Sequence, residues 1–125
     1  MIKRDFKIIG FLTTLASLSG CANIVQEKLT VLDGQRLTYQ CEGGSQIEAR
    51  YYSLSDDSLD FVKVALPNGK EYTLPHVLSG SGVRYSADFE LMWWTKGDTA
   101  FVQTRNEQGD WQIKYDNCHA VGSVK

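Results

Sequence analysis

The chain has 125 residues, 42% of them hydrophobic and 22% charged, which suits one globular domain and excludes a disordered tail or a collagen-like fibre. Eleven glycines against two prolines exclude a proline-rich linker. A net charge of −2 argues against nucleic-acid binding through a broad basic face, and two histidines with three widely spaced cysteines argue against a zinc site.

Residues 1–20 read as an address rather than as fold. Lys3, Arg4 and Lys7 open the chain with positive charge, diluted by Asp5, and Ile8 to Leu18 form an apolar run. Spanning a bilayer takes about 20 apolar residues, so this run is too short to span and has the length of a signal-peptide core. It ends in Leu18-Ser19-Gly20-Cys21, which resembles the lipobox of bacterial lipoproteins. That resemblance implies lipid on the Cys21 thiol and cleavage before Cys21. Ala22, where an Asp would retain a lipoprotein in the inner membrane, implies an outer-membrane lipoprotein whose domain faces the periplasm. Removing Lys3, Arg4, Lys7 and Asp5 from 13 basic and 15 acidic residues leaves 10 and 14, a net −4. Such a domain attracts a cationic partner, although the same charge also serves plain solubility.

With Cys21 assigned to lipid, Cys41 and Cys118 remain as an even pair in an exported chain, and a disulfide is the expected state. Neither has a histidine or basic partner close in sequence, which argues against a catalytic thiol.

Asn23 to Gly34 is a polar, weakly patterned tether with room for one helical turn. Short alternating segments follow, separated by turn signals every eight to twelve residues. They are Arg36–Cys41, Gln46–Ser53, Leu59–Leu66, Lys70–Leu74, the stretch entering Tyr85, Asp88–Thr95, Asp98–Arg105 and Asp110–Tyr115. Pro67-Asn68-Gly69 is a hairpin turn, because Asn and Gly tolerate positive φ. Along Asp88–Thr95 the alternation puts Phe89, Leu91 and Trp93 on the core face and Trp94 outside near the loops. One open sheet cannot bury both faces, so the predicted fold is all-β, a small antiparallel eight-stranded barrel closed by one disulfide. A two-sheet sandwich is the alternative. The domain plan is a signal peptide at 1–20, a lipidated tether at 21–35, a barrel at 36–118 and a C-terminal tail at 119–125.

Taken alone, Ser79-Gly80-Ser81-Gly82 reads as a flexible loop and Lys96-Gly97-Asp98 as a solvated turn. Tyr39-x-Cys41, Ser81-Gly-Val-Arg-Tyr85, Trp94-Thr-Lys96-Gly97-Asp98-x-Ala100 and the closing Asn117-Cys118 together resemble the membrane-bound inhibitors of c-type lysozyme, over residues 36–118. The resemblance implies an eight-stranded barrel that presents two loops to the lysozyme cleft, with Ser81 and Lys96 reaching the catalytic carboxylates. Gly80 and Gly82 would admit close backbone approach, and Tyr85 would support the loop. The interval from Ser81 to Lys96 is one residue longer than the family pattern. A β-bulge near Trp93-Trp94 or Ala87-Asp88 is expected to absorb it, since otherwise Lys96 would change faces.

The chemistry is coherent. A retaining glycosidase holds one protonated and one ionised carboxyl about 5 Å apart. A hydroxyl can donate to or accept from either form, and an ammonium pairs with the ionised one. The implied protein is an inhibitor and not an enzyme, with no cofactor, metal or nucleic acid, and a c-type lysozyme as partner. The competing readings are a small apolar-ligand-binding lipoprotein barrel and an envelope assembly subunit. A hydrolase is remote, because no Ser-His-Asp order with a strand–turn–helix elbow is present.

Overall fold

The computed structural model describes residues 28–87 and 90–123. Residues 1–20, read above as a signal peptide, Cys21 and Phe89 lie outside the described residues. Eight strands run in chain order: β1 Val31–Gln40, β2 Gln46–Leu54, β3 Asp60–Ala65, β4 Glu71–Val77, β5 Val83–Ala87, β6 Leu91–Lys96, β7 Thr99–Arg105 and β8 Trp111–Ser123. Each pairs antiparallel with the next, and β8 returns to β1 through Leu37↔Ser123 to Gln40↔His119, closing a barrel. The expected fold class therefore holds, and the sandwich alternative does not.

Alternation builds the core. Tyr39, Ile47, Ala49, Val62, Val64, Leu74, Leu91, Trp93, Ala100 and Val102 point inward from six different strands and are buried. Trp93 has no exposed surface, as expected of an aromatic at this parity. Its Nε1 donates to Tyr51 Oη at 3.0 Å, and Tyr51 Oη lies 3.2 Å from Tyr39 Oη. The rings of Tyr39 and Trp93 meet edge to face at 5.0 Å. A buried indole N–H and two phenols thus satisfy one another inside an otherwise apolar barrel. These side chains pack into one hydrophobic cluster.

Cys41, just past β1, is bonded to Cys118 in β8 across 77 residues of sequence. The pairing ties the first strand to the last at the seam of the barrel.

The barrel is larger than the expected 36–118. Strand β1 starts at Val31, inside the expected tether, and pairs with β2 from Val31↔Leu54 onward. The register shifts between Asp33 and Arg36, so Gly34 and Gln35 form a bulge that broke the sequence alternation. At the other end β8 continues past Cys118 through His119–Ser123, which pairs with β1 and is not a tail. Asn117 at φ 48 marks a second bulge, where Ala100↔Cys118 gives way to Val102↔Tyr115. Among the described residues no helix is long and apolar enough to cross a membrane.

Candidate functional site

Two connections lie side by side at one mouth of the barrel: the β4–β5 loop, residues 78–82, and the β6–β7 turn at Gly97-Asp98. The β5–β6 ladder brings them together. It runs from Val83↔Thr95 to Ala87↔Leu91 without a bulge. This corrects the expectation of a bulge near Trp93-Trp94, and Asp88, at the other expected place, lies outside the described residues. At the far end of this ladder Glu90 N–H donates to the Ala87 carbonyl at 3.1 Å. With the ladder unbroken, Trp93 and Thr95 face in, while Trp94 and Lys96 face out.

The outward face of β6 carries the loop. Trp94 Nε1 donates to the Ser81 carbonyl at 2.9 Å. The Trp94 ring lies against Phe101 of β7, with centroids 5.5 Å apart. Two cations lie over the same indole: the Arg84 guanidinium at 5.6 Å and the Lys96 ammonium at 5.8 Å from its centroid. Arg84 also donates from Nη2 to the Leu78 carbonyl at 2.5 Å, and Ser79 Oγ donates to the Gly82 carbonyl at 2.9 Å. Three hydrogen bonds therefore fix a five-residue loop that composition alone reads as flexible.

Gly82 is the point of closest approach. It adopts φ +66°, and a Cβ built on it would run into the Thr95 carbonyl oxygen and stand 2.7 Å from Lys96 Cγ and 3.0 Å from Trp94 Nε1. Only glycine permits this backbone both conformationally and sterically. Gly80 differs, with open space around a notional Cβ. The lysine turn is closed by Thr99 Oγ1, which donates to the Lys96 carbonyl at 2.8 Å, and by Gly97 at φ 57°.

Of the residues singled out from sequence, Ser81, Gly82 and Lys96 are brought together, and Gly80 lies in the same loop. Tyr85 is only 8% exposed; its ring is 5.7 Å from Tyr51 and 5.6 Å from His76. It lines the inner wall of the mouth. Arg84 and Trp94 are the residues whose bracing role sequence reasoning missed. The signal for them was strand parity: 84 on β5 pairs with 94 on β6, and 94 shares its face with 96.

Beside these loops the mouth opens into a cleft of about 340 Å3, lined among others by Tyr39, Tyr51, Tyr85, Asp60, Thr95 and Gly97. Burial raises the pKa of Tyr51, Tyr39 and Tyr85 above the ordinary phenol value. For Tyr51 the hydrogen bond with Tyr39 adds to burial, and for Tyr85 the Asp60 charge does. Among the described residues no group of His, Cys, Asp or Glu could hold a metal ion.

The family model for membrane-bound lysozyme-inhibitor of c-type lysozyme matches residues 39–111, more than half of the chain. The chain belongs to this family. It is 40% identical over 86 residues to the membrane-bound lysozyme inhibitor of C-type lysozyme of Yersinia enterocolitica, a match spanning 69% of this chain and 62% of that relative, less than two thirds of its length. The protein of the same description from Cupriavidus necator is 28% identical over 112 residues, 85% of this chain and 86% of that one. Among solved structures, Pseudomonas aeruginosa MliC in complex with hen egg white lysozyme superposes with a TM-score of 0.53 at 22% identity, covering 74% of this chain and 84% of that one. That likeness concerns the barrel fold. The family is one of inhibitors, not of enzymes.

Proposed function

We propose that this chain inhibits c-type lysozyme by placing the Ser81 loop and the Lys96 side chain in the enzyme's active-site cleft. The observation that carries the reading is the contact of Gly82 with Lys96 and Trp94, which fixes a hydroxyl-bearing loop beside an outward ammonium on one rigid hairpin. Family membership and a relative structure bound to hen egg white lysozyme support the same partner. The Lys96 ammonium pairs with the ionised carboxylate, and the Ser81 hydroxyl bonds to the protonated one. Gly80, free of a side chain in open space, lets the loop tip enter a narrow groove. The net −4 exported domain steers a cationic enzyme toward it. Lipid on Cys21 holds the barrel on the outer membrane, facing the periplasm, where an incoming muramidase would attack peptidoglycan.

The test is clearing of a cell-wall suspension by a c-type lysozyme with increasing amounts of the purified protein. Stoichiometric inhibition is expected. Lys96→Ala removes a desolvated ion pair and should weaken inhibition by about 2–5 kcal/mol, with Ser81→Ala weakening it less. Full inhibition by the Ser81→Ala, Lys96→Ala double variant would remove the proposed site. Loss of a lipid-mass adduct in Cys21→Ser tests the anchor separately.

A further inference from the structure

Among the described residues, Leu78 is the most exposed large hydrophobic side chain, at 90%. Exposed leucines scattered singly need no explanation. This one is not placed at random. It opens the loop that carries Ser81, three residues away, and Val83, at 39% exposure, closes the same loop. Its backbone is held from outside the loop, because its carbonyl accepts from Arg84 Nη2 and the Arg84 guanidinium lies over Trp94. An apolar side chain on a braced backbone costs little further ordering when it is covered, which is the property of an interface anchor.

We infer that Leu78 is the apolar anchor of the inhibitory loop, inserting into an apolar subsite of the lysozyme cleft that neighbours the catalytic carboxylates. The inference rests on the inhibitory reading above and adds a second kind of contact to it. Ser81 and Lys96 recognise the polar, charged floor of the cleft. Leu78 recognises an apolar wall, where a glycan ring or acetyl methyl would otherwise rest. Polar contacts of the first kind weaken with salt and apolar ones do not.

The experiment compares inhibition by wild type, Leu78→Ser, Leu78→Met and Ile113→Ser at low and high salt, with melting temperatures recorded for each. Ile113, 52% exposed on β8, is the control for loss of an exposed apolar group elsewhere. Leu78→Ser should weaken inhibition by about tenfold to a hundredfold, through faster dissociation and by the same factor at both salt concentrations. Leu78→Met should stay within about threefold of wild type, since it conserves volume and apolarity. Ile113→Ser should inhibit as wild type does. Melting temperatures should not differ, because Leu78 packs against nothing in the core. Wild-type inhibition by Leu78→Ser would overturn this inference and leave the Ser81–Lys96 site standing. If the wild-type protein fails to inhibit at all, both readings fall together.

Discussion

The indole nitrogen of Trp94 and the carbonyl oxygen of Ser81 are joined by a 2.9 Å hydrogen bond that ties the β4–β5 loop to the outer face of β6. This bond crosses 13 residues of sequence and has no part in the barrel core. Trp94→Phe keeps an aromatic ring against Phe101 and removes only the donor. A net hydrogen bond contributes about 0.5–1.5 kcal/mol, so inhibition should weaken by about threefold to tenfold while the melting temperature holds. Unchanged inhibition would mean that Arg84 and Ser79 suffice to fix the loop.

Gly82→Ala should be far more damaging than Gly80→Ala, although both sit in one Ser-Gly-Ser-Gly run. A methyl group at 82 meets the Thr95 carbonyl and Lys96 Cγ at a positive φ. The left-handed conformation alone costs about 1–2 kcal/mol for a residue with a Cβ, and relief of the clash displaces the loop from Lys96. Gly80→Ala meets nothing within 4 Å. The expected outcome is a lowered denaturation midpoint and lost inhibition for Gly82→Ala, and an unchanged midpoint for Gly80→Ala, measured by urea titration.

The same contrast shows what the sequence could reveal. Pro67-Asn68-Gly69 closes as a hairpin with Gly69 at φ 85°, because turn chemistry is local. Trp93 inside and Trp94 outside followed from parity alone. What escaped were features set by register. The Gly34-Gln35 bulge hid the start of β1 in a polar run, and Asn117 looked like a terminus although the strand resumes beyond it. The brace of Arg84 on Trp94 needed the cross-strand partner of each, and the absence of a bulge at Trp93-Trp94 showed only in the β5–β6 ladder.

Loss of the Cys41–Cys118 bond should be severe. It closes a loop of 77 residues, and the chain-entropy model assigns such a loop about 4–5 kcal/mol of stability. For a domain of this size that is a large part of the total. Cys41→Ser, Cys118→Ser should therefore shift the urea midpoint strongly downward, and reductant should do the same to wild type but not to the double variant. Inhibition at low temperature should survive partly, because the hydrogen bonds that hold the β4–β5 loop come from Ser79, Arg84 and Trp94 and not from either cysteine. A midpoint unaffected by reductant would show that barrel closure through β1–β8 pairing needs no covalent help.

The buried phenols predict a weakness at alkaline pH. Tyr51, Tyr39 and Tyr85 all have pKa values raised by burial, so in the folded barrel they keep their protons where the unfolded chain, with tyrosines near 10, has lost them. The unfolded state then binds fewer protons than the native one, and stability falls as pH rises past about 10. Below that pH the contribution is complete and stability is insensitive to these groups. Urea midpoints measured from pH 8 to pH 11 should be level at first and then decline. Tyrosinate absorbance of these three residues should appear together with unfolding rather than before it. Tyr51→Phe should make the decline shallower, and should also lower stability at pH 8 by about 1–3 kcal/mol, because Trp93 Nε1 loses its acceptor inside the barrel. A level curve through pH 11 in wild type would show that the phenols ionise without cost to the fold, and that the Tyr39–Tyr51–Trp93 chain is open to water.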